Sequence, residues 1–392
     1  MSSVLSEYRE KRFFLITGAF LTTSSFVGAV ILHLAGKKFG VRLASDDFDI
    51  RVYFASARWV IEGGRLYREV GSEYPLLANI IFATLRFLAY LLHPGFYAFK
   101  GLWVASAWLV YLWCVYRIVK DIGIFVALAW LAPGPIYFAL FRFDLYPAAA
   151  TLMFLFAIRR TAYMEAAIWL GVAIAFKGYA LFMLPTYCVF MVYQRGFTAA
   201  AKMGVVAVAP IILSLLVTLS FAGWEGVVAP FKLHAVRTLN DASTYDGINY
   251  LFGSPVISNG SAVRWIAQSL QVGCALAAAA MRPRSFEDLV NASLFAVLGF
   301  MSFSVFYSPQ FVLWILPLVC FSGSRVMLIS TILFSWLTYL YFPISDQLRG
   351  ARPDLFKAVV VAIGMLRLFM MFLAVQGRYS RSPGCGTPLE PA

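Results

Sequence analysis

Charge is scarce in this 392-residue chain: 13% of the residues are charged, while 61% are hydrophobic. Soluble domains carry about 25% charged and roughly 45–50% apolar residues. The shortage excludes a water-soluble enzyme and a disordered protein. No long polar stretch separates the apolar runs, which excludes a single-span receptor with a soluble domain. The five cysteines show no disulfide-like spacing: Cys114, Cys188, Cys274 and Cys320 sit inside apolar runs, and Cys385 lies near the end of the chain. The three histidines, His33, His93 and His234, are scattered, so no zinc-ligand pattern exists. The net charge of +13 would point to nucleic acid in a soluble protein. In an apolar chain it is the ordinary excess of Lys and Arg in cytoplasmic loops.

What remains is apolar sequence almost end to end. A spanning helix needs about 20 residues, and on that scale the chain holds about 12 spans. The expected fold is an all-α polytopic membrane protein, with interfacial helices in the first outside loop. Residues 1–12 read as a cytoplasmic N-terminus and 13–376 as a single transmembrane domain. Within it, 37–96 form the first outside loop and 223–260 a large outside loop, and 377–392 read as a disordered cytoplasmic tail. The run Phe13–Leu34 is too long for a cleaved signal peptide and reads as the first span.

The polar breaks are of two kinds. Arg9–Arg12, Arg117–Lys120, Arg159–Arg160, Arg195–Lys202, Arg282–Arg284, Arg325 and Arg378–Arg381 are rich in Lys and Arg and belong inside. The segments 37–74, Arg142–Asp144, Lys177–Gly178, 223–260, Tyr307–Gln310 and 343–354 mix acids, glycine, proline and aromatics and belong outside. The alternation holds if the run 75–93, which contains Asn79 and Arg86, does not cross. The cell membrane, with the site facing outward, follows from this orientation.

Ser45-Asp46-Asp47-Phe48-Asp49 follows the first run. Beyond it, Ile50, Tyr53, Phe54, Ala57, Val60 and Ile61 share one face at helical spacing, which predicts an interfacial helix ended by Gly63-Gly64. A carboxylate at the start of that helix is held at headgroup depth, where it can meet a substrate that is half lipid.

These residues carry a resemblance. The stretch from Asp49 to Tyr67, with Glu73-Tyr74-Pro75, resembles the first-loop signature of the GT-C glycosyltransferases, polytopic enzymes that take a sugar from a polyprenyl phosphate. It is most similar to the polyprenyl- or dolichyl-phosphate-mannose-dependent mannosyltransferases, including the enzyme adding the first mannose to glycosylphosphatidylinositol, whose Asp-x-Asp is matched by Asp47-Phe48-Asp49. Arg142-Phe143-Asp144, Ala175-Phe176-Lys177-Gly178-Tyr179 and Tyr307-Ser308-Pro309-Gln310 with Trp314 and Pro317 fit later family segments in order.

The resemblance implies transfer of a sugar, mannose foremost, from a polyprenyl-phosphate donor to a lipid-linked or glycan acceptor, with inversion. It implies Asp49 as the general base, with Asp47 second and Asp46 third. Lys177, Arg142, His234 and Arg237 are the candidates for the donor phosphate, and Asp144, Tyr74 and Gln310 for substrate binding. No cofactor or metal set is assigned, although the Asp-x-Asp pair leaves a divalent cation open. Trp224 and Trp314 fit the interfacial belt better than a sugar platform. A transporter or flippase, and a membrane glycan polymerase or ligase, are the competing readings. The first would place ionisable residues near the midplane, as only Lys357 and Arg367 are; the second does not predict the acidic loop.

The orientation is testable. A cysteine placed at position 240 should react with a membrane-impermeant thiol reagent from outside the cell, and one at 283 should not. The reverse labelling pattern would invert the topology.

Overall fold

The computed structural model describes residues 47–235, 238–240 and 242–379. The first apolar run, Asp46, Arg237 and the segment from residue 380 onward lie outside the described residues. The described chain is helical. The first loop forms α1 (Phe48–Ser56) and α2 (Trp59–Glu62), followed by α3 (Leu76–Leu92) and α4 (Phe96–Asp121). A short α5 (Ile124–Ala127) leads to α6 (Pro133–Phe141), α7 (Leu145–Arg159) and α8 (Tyr163–Phe176). A 3₁₀ turn over Gly178–Met183 precedes α9 (Leu184–Arg195) and the long α10 (Phe197–Ala235). Next come α11 (Thr244–Phe252), α12 (Ser261–Ala280) and α13 (Phe286–Phe303). After a 3₁₀ turn at Pro309–Phe311 follow α14 (Val312–Phe321), α15 (Arg325–Tyr341), α16 (Ser345–Ala351) and α17 (Pro353–Tyr379).

Among the described residues, four helices are long and apolar enough to cross a membrane: Phe96–Asp121, Phe197–Lys232, Phe286–Phe303 and Pro353–Gly377. The pair α6 and α7 adds a fifth span if taken together, bent by 112° at its break. Leu76–Leu92, Tyr163–Phe176, Pro309–Phe321 and Arg325–Tyr341 are apolar but shorter. The protein is thus an all-α polytopic membrane protein. Among the described residues, straight helices of membrane length are fewer than the apolar runs. The runs on either side of Arg142–Asp144 and of Lys177 fold as shorter helices, Pro133–Phe141, Leu145–Arg159, Tyr163–Phe176 and Leu184–Arg195.

The helix predicted over the first loop is present but broken. α1 stops at Ser56, and the chain turns at Ala57 and Arg58 before α2. Gly63 and Gly64 follow at φ +79° and +98°, a region that L side chains avoid. α1 buries Ile50, Tyr53 and Ser56; Ile50 and Tyr53, with Ala57 just past the helix, pack with Phe82 of α3 and with Phe99 and Trp103 of α4. Arg86 ties this unit together. Its Nη2 meets Glu62 Oε1 at 2.6 Å, its Nη1 donates to the Phe54 carbonyl, and its guanidinium lies 3.8 Å from the Phe54 ring centre. The arginine inside the apolar run 75–93 therefore anchors the interfacial helices.

α7 and α8 run antiparallel and connect the two ends of the bundle. At one end lie Asp144 and Lys177. At the other, Arg117 pairs with Asp121 at 2.9 Å, Arg159 donates to the Asp121 carbonyl, and Arg160 pairs with Glu165 at 3.0 Å. Arg195 sits over Tyr163 and Gln194 donates to the Arg284 carbonyl at this same end. Four of the basic clusters found in the sequence thus gather away from Arg142, Asp144 and Lys177.

The placement of Lys177 depends on how closely α8 meets α10. A Cβ on Gly171 would lie 2.5 Å from the Ala207 carbonyl oxygen and 2.8 Å from the Pro210 ring. Gly171→Ala should therefore push α8 off α10 and destabilise the protein by about 1–3 kcal/mol, the usual cost of overpacking. A thermal midpoint in detergent equal to that of the wild type would refute the close contact.

Candidate active site

The site is built around the three-residue elbow between α6 and α7. Arg142 leaves the end of α6 in an extended conformation, Phe143 follows, and Asp144 stands at the start of α7 with no capping bond from its side chain. Both charged side chains are buried, Arg142 at 5% and Asp144 at 2% exposure. Charges removed from water need partners, and each of these has one on a different element.

Asp144 pairs with Lys177, whose Nζ lies 2.7 Å from Asp144 Oδ1. The apolar run of α8 ends at Phe176, and Lys177 in extended conformation turns the chain into the 3₁₀ segment. Trp314 Nε1 donates to the same Oδ1 at 2.6 Å. Below the lysine is an aromatic stack. Trp314 lies against Tyr179 with ring centres 4.4 Å apart and against Phe311 at 3.7 Å, and Lys177 Nζ is 5.3 Å from the Trp314 ring centre. Tyr179 is held by a hydrogen bond of 2.9 Å between its hydroxyl and Thr151.

Arg142 Nη1 lies 3.3 Å from Asp49 Oδ2. The same oxygen accepts from the Tyr53 hydroxyl at 3.4 Å, and that hydroxyl in turn accepts from the Phe143 N–H at 3.0 Å. The spacing of four residues puts Asp49 and Tyr53 on one face of α1. Burial, reinforced by the neighbouring Tyr74 and Asp49, raises Tyr53 well above the ordinary tyrosine value, so it stays a proton donor toward Asp49. Tyr53 is fixed by rings on three sides: Phe82 at 4.4 Å, Trp103 at 4.7 Å and Tyr74, edge-on, at 5.3 Å.

Two ion pairs thus flank Phe143, and they differ in character. The Asp144 side chain is 3% exposed and takes both Lys177 and Trp314 on one oxygen. The Asp49 side chain is 19% exposed, at the rim. Two carboxylates in unlike surroundings can take unlike roles, and Asp49 is the more accessible of the two.

The structure brings together Asp49, Arg142, Asp144, Lys177 and Tyr74. Asp47 starts α1 and pairs with Lys100 of α4 at 2.6 Å. Gln310 is half-buried in the 3₁₀ turn beside Phe311, but its side chain joins none of these contacts. His234 falls in the last turn of α10; its side chain and Arg237 lie outside the described residues. Trp314 is corrected: it is 1% exposed and hydrogen-bonded to Asp144, so it is no belt residue, whereas Trp224 is 69% exposed as a belt residue would be. Lys100 was not singled out in the sequence. Its only signal is a lone charge near the start of a long apolar helix. Among the described residues no three His, Cys, Asp or Glu side chains gather to hold a metal ion.

Removing one partner of a buried pair strands the other charge, at a cost of about 3–5 kcal/mol. Lys177→Met strands the deeply buried Asp144 and should destabilise the protein more than Asp144→Asn, which strands a lysine that is 23% exposed. The double variant should be more stable than the sum of the singles. Additive thermal shifts would show that the pair is not coupled.

Comparison with known proteins agrees with this architecture. No curated protein matches the chain. A family model, Glycosyltransferase family 87, matches residues 73–309. That span holds Tyr74, Arg142, Asp144, Lys177, His234 and Arg237; Gln310 is the residue after its end, and Asp47 and Asp49 lie in the loop well before its start. With more than half of its length matched, and with a buried, charged elbow at one end of a polytopic helical bundle, the chain belongs to glycosyltransferase family 87.

Proposed function

We propose that this membrane glycosyltransferase moves a hexose, mannose foremost, from a polyprenyl-phosphate donor to a lipid-linked or glycan acceptor on the non-cytoplasmic face. The observation that carries the reading is the pairing of Asp49 with Arg142 one residue away from the pairing of Asp144 with Lys177. A carboxylate for the acceptor and cations for a leaving phosphate meet at the edge of an apolar bundle, where a lipid-borne sugar would arrive. The acidic loop and the fixed order of the polar segments favour this reading over a flippase or a glycan polymerase.

In the proposed reaction the acceptor oxygen attacks C1 of the sugar from the face opposite the phosphate. Asp49 takes the proton of the acceptor hydroxyl. The bond between C1 and the phosphate oxygen breaks, the electron pair leaves with the polyprenyl phosphate, and C1 is inverted. Tyr53 and Arg142 hold the Asp49 carboxylate in place. Lys177 has three N–H donors, of which Asp144 occupies one; the ammonium can hold Asp144 and a phosphate oxygen together. Arg142 supplies the second cation. Charge developing on the leaving oxygen strengthens both contacts, so they act on the rate as well as on binding. Tyr74 walls the acceptor side, and His234, Arg237 and Gln310 are further candidates for the substrate. Asp47, paired with Lys100, is placed as a support of α1.

Purified protein supplied with radiolabelled polyprenyl-phosphate mannose should release label from that lipid. Asp49→Asn should lower the rate by about 10²–10⁴-fold, the usual contribution of a general base, with the fold intact. Asp47→Asn should keep most of the rate. A dead Asp47→Asn beside an active Asp49→Asn would move the base to Asp47. For the donor contact, Lys177→Met is compared in the Asp144→Asn background, so that no buried charge is stranded. A charge-assisted contact contributes about 1.5–3 kcal/mol, which corresponds to roughly 10-fold to 150-fold in turnover over donor KM. Unchanged constants would remove Lys177 from the donor site.

A further inference from the structure

The last span contains a charge that the reaction described above does not use. Arg367 lies midway along α17 and is fully buried. Its Nη2 donates to the Ala242 carbonyl at 2.9 Å and to Thr244 Oγ1 at 3.1 Å. Its guanidinium carbon stands 4.1 Å from the centre of the Tyr307 ring. Its Nε and Nη1 have no hydrogen-bond partner among the described residues. An ionisable side chain inside a span is costly to keep and points to function, and the cost is highest when its donors are unsatisfied.

The two segments that Arg367 touches are also tied to each other. Asn240 makes a reciprocal pair with the Tyr307 backbone, its Nδ2 donating to the carbonyl at 2.5 Å and its Oδ1 accepting from the N–H at 2.9 Å. The Asn240 N–H donates to the Val305 carbonyl, and the Tyr245 hydroxyl donates to the Phe303 carbonyl at 3.0 Å. The close approach of Thr244 to Gly364 and of Gly247 to Val361 lays α11 along α17 beside these contacts. Tyr307 then packs edge-on against Phe311 at 5.6 Å, and Phe311 stacks on Trp314, the donor to Asp144. A continuous set of contacts therefore runs from Arg367 through Tyr307, Phe311 and Trp314 to the Asp144–Lys177 pair.

We infer that Arg367 is a positioning residue for glycosyl transfer: it clamps the 240–245 segment onto the 303–311 segment and so seats the Phe311–Trp314 stack under Asp144 and Lys177. Arginine suits the task because a planar guanidinium can lie on a ring while its edge donates to two oxygens. Lysine could supply the charge over Tyr307 but not that geometry. The inference rests on the transfer reaction of the family; the donor reading of Lys177 sets only which constant moves.

The test uses the full-length chain in detergent. Hydrogen exchange is compared for wild type, Arg367→Lys and Arg367→Met, together with transfer from polyprenyl-phosphate mannose. In Arg367→Met, peptides covering 239–246 and 303–311 should exchange about tenfold faster while peptides from α7 and α8 stay protected, a local opening of the kind exchange resolves. Turnover over donor KM should fall about tenfold or more, in the range of a lost charged hydrogen bond, and Arg367→Lys should fall between. Unchanged local exchange, or faster exchange spread evenly through the bundle, would overturn the inference. So would local opening with unchanged transfer. If Arg367→Met fails to fold, Arg367→Lys is read by the same criteria. If the wild type consumes no polyprenyl-phosphate mannose, the mannose reading fails, and the transfer arm is run with polyprenyl-phosphate glucose under the same criteria.

Discussion

The architecture depends on two opposite charges placed one residue apart in a buried elbow. Arg142 and Asp144 emerge where α6 and α7 meet at 112°, and both are removed from water. In a low-dielectric setting neither can stay unpaired. Arg142 draws Asp49 from the first loop, and Asp144 draws Lys177 from the end of α8 and Trp314 from α14. Four elements that are distant in sequence are thereby fixed to one another by charge neutrality. These contacts add to close helix packing, such as that of Gly171 against α10, in setting the register. The hydrogen bond from the Phe143 N–H to the Tyr53 hydroxyl closes the arrangement through the backbone.

Much of the outline was readable in the sequence. The shortage of charge gives the polytopic class, and the positions where charge does occur give the polar segments. Arg142, Asp144 and Lys177 stand out because each interrupts apolar sequence, and Asp49 because it opens an amphipathic stretch. How they pair was not readable. Lys177 could equally have faced a phosphate alone; only the fold shows that its first partner is Asp144. Trp314 belongs to a family-like segment, yet its role was not readable, since nothing local distinguishes a buried hydrogen-bonding indole from one at the lipid boundary. The break in the first-loop helix escaped notice because Ala57 and Arg58 are compatible with a continuing helix, and the turn is set by docking on α3. Arg86 was read as a reason for its run not to cross, yet its contacts with Glu62 and Phe54 give it a structural purpose whether or not that run crosses.

The two carboxylates of the elbow region show how environment divides labour between identical groups. Asp144 is enclosed, with an ammonium and an indole both donating to one oxygen. Asp49 sits on a short helix at the rim and is steadied by one guanidinium and one phenol. Tyr53 suits its place there. Burial holds its hydroxyl well above the ordinary tyrosine value, so it remains a donor to Asp49.

The length of the elbow has a consequence for how such a chain can vary. Arg142 and Asp144 are separated by one residue whose N–H is itself in use. A single inserted or deleted residue here would rotate one charge away from its partner and leave Tyr53 without its amide, whatever residue was added. The segment 253–260 is different: it is largely exposed and joins two helices without a buried charge, held by Ile257 on Asn249 and by Asn259 on the Leu239 N–H. Related chains should therefore differ in length more readily at that connection than between α6 and α7. Spacing at the elbow, more than the identity of any single residue around it, is what an inherited site of this construction has to preserve.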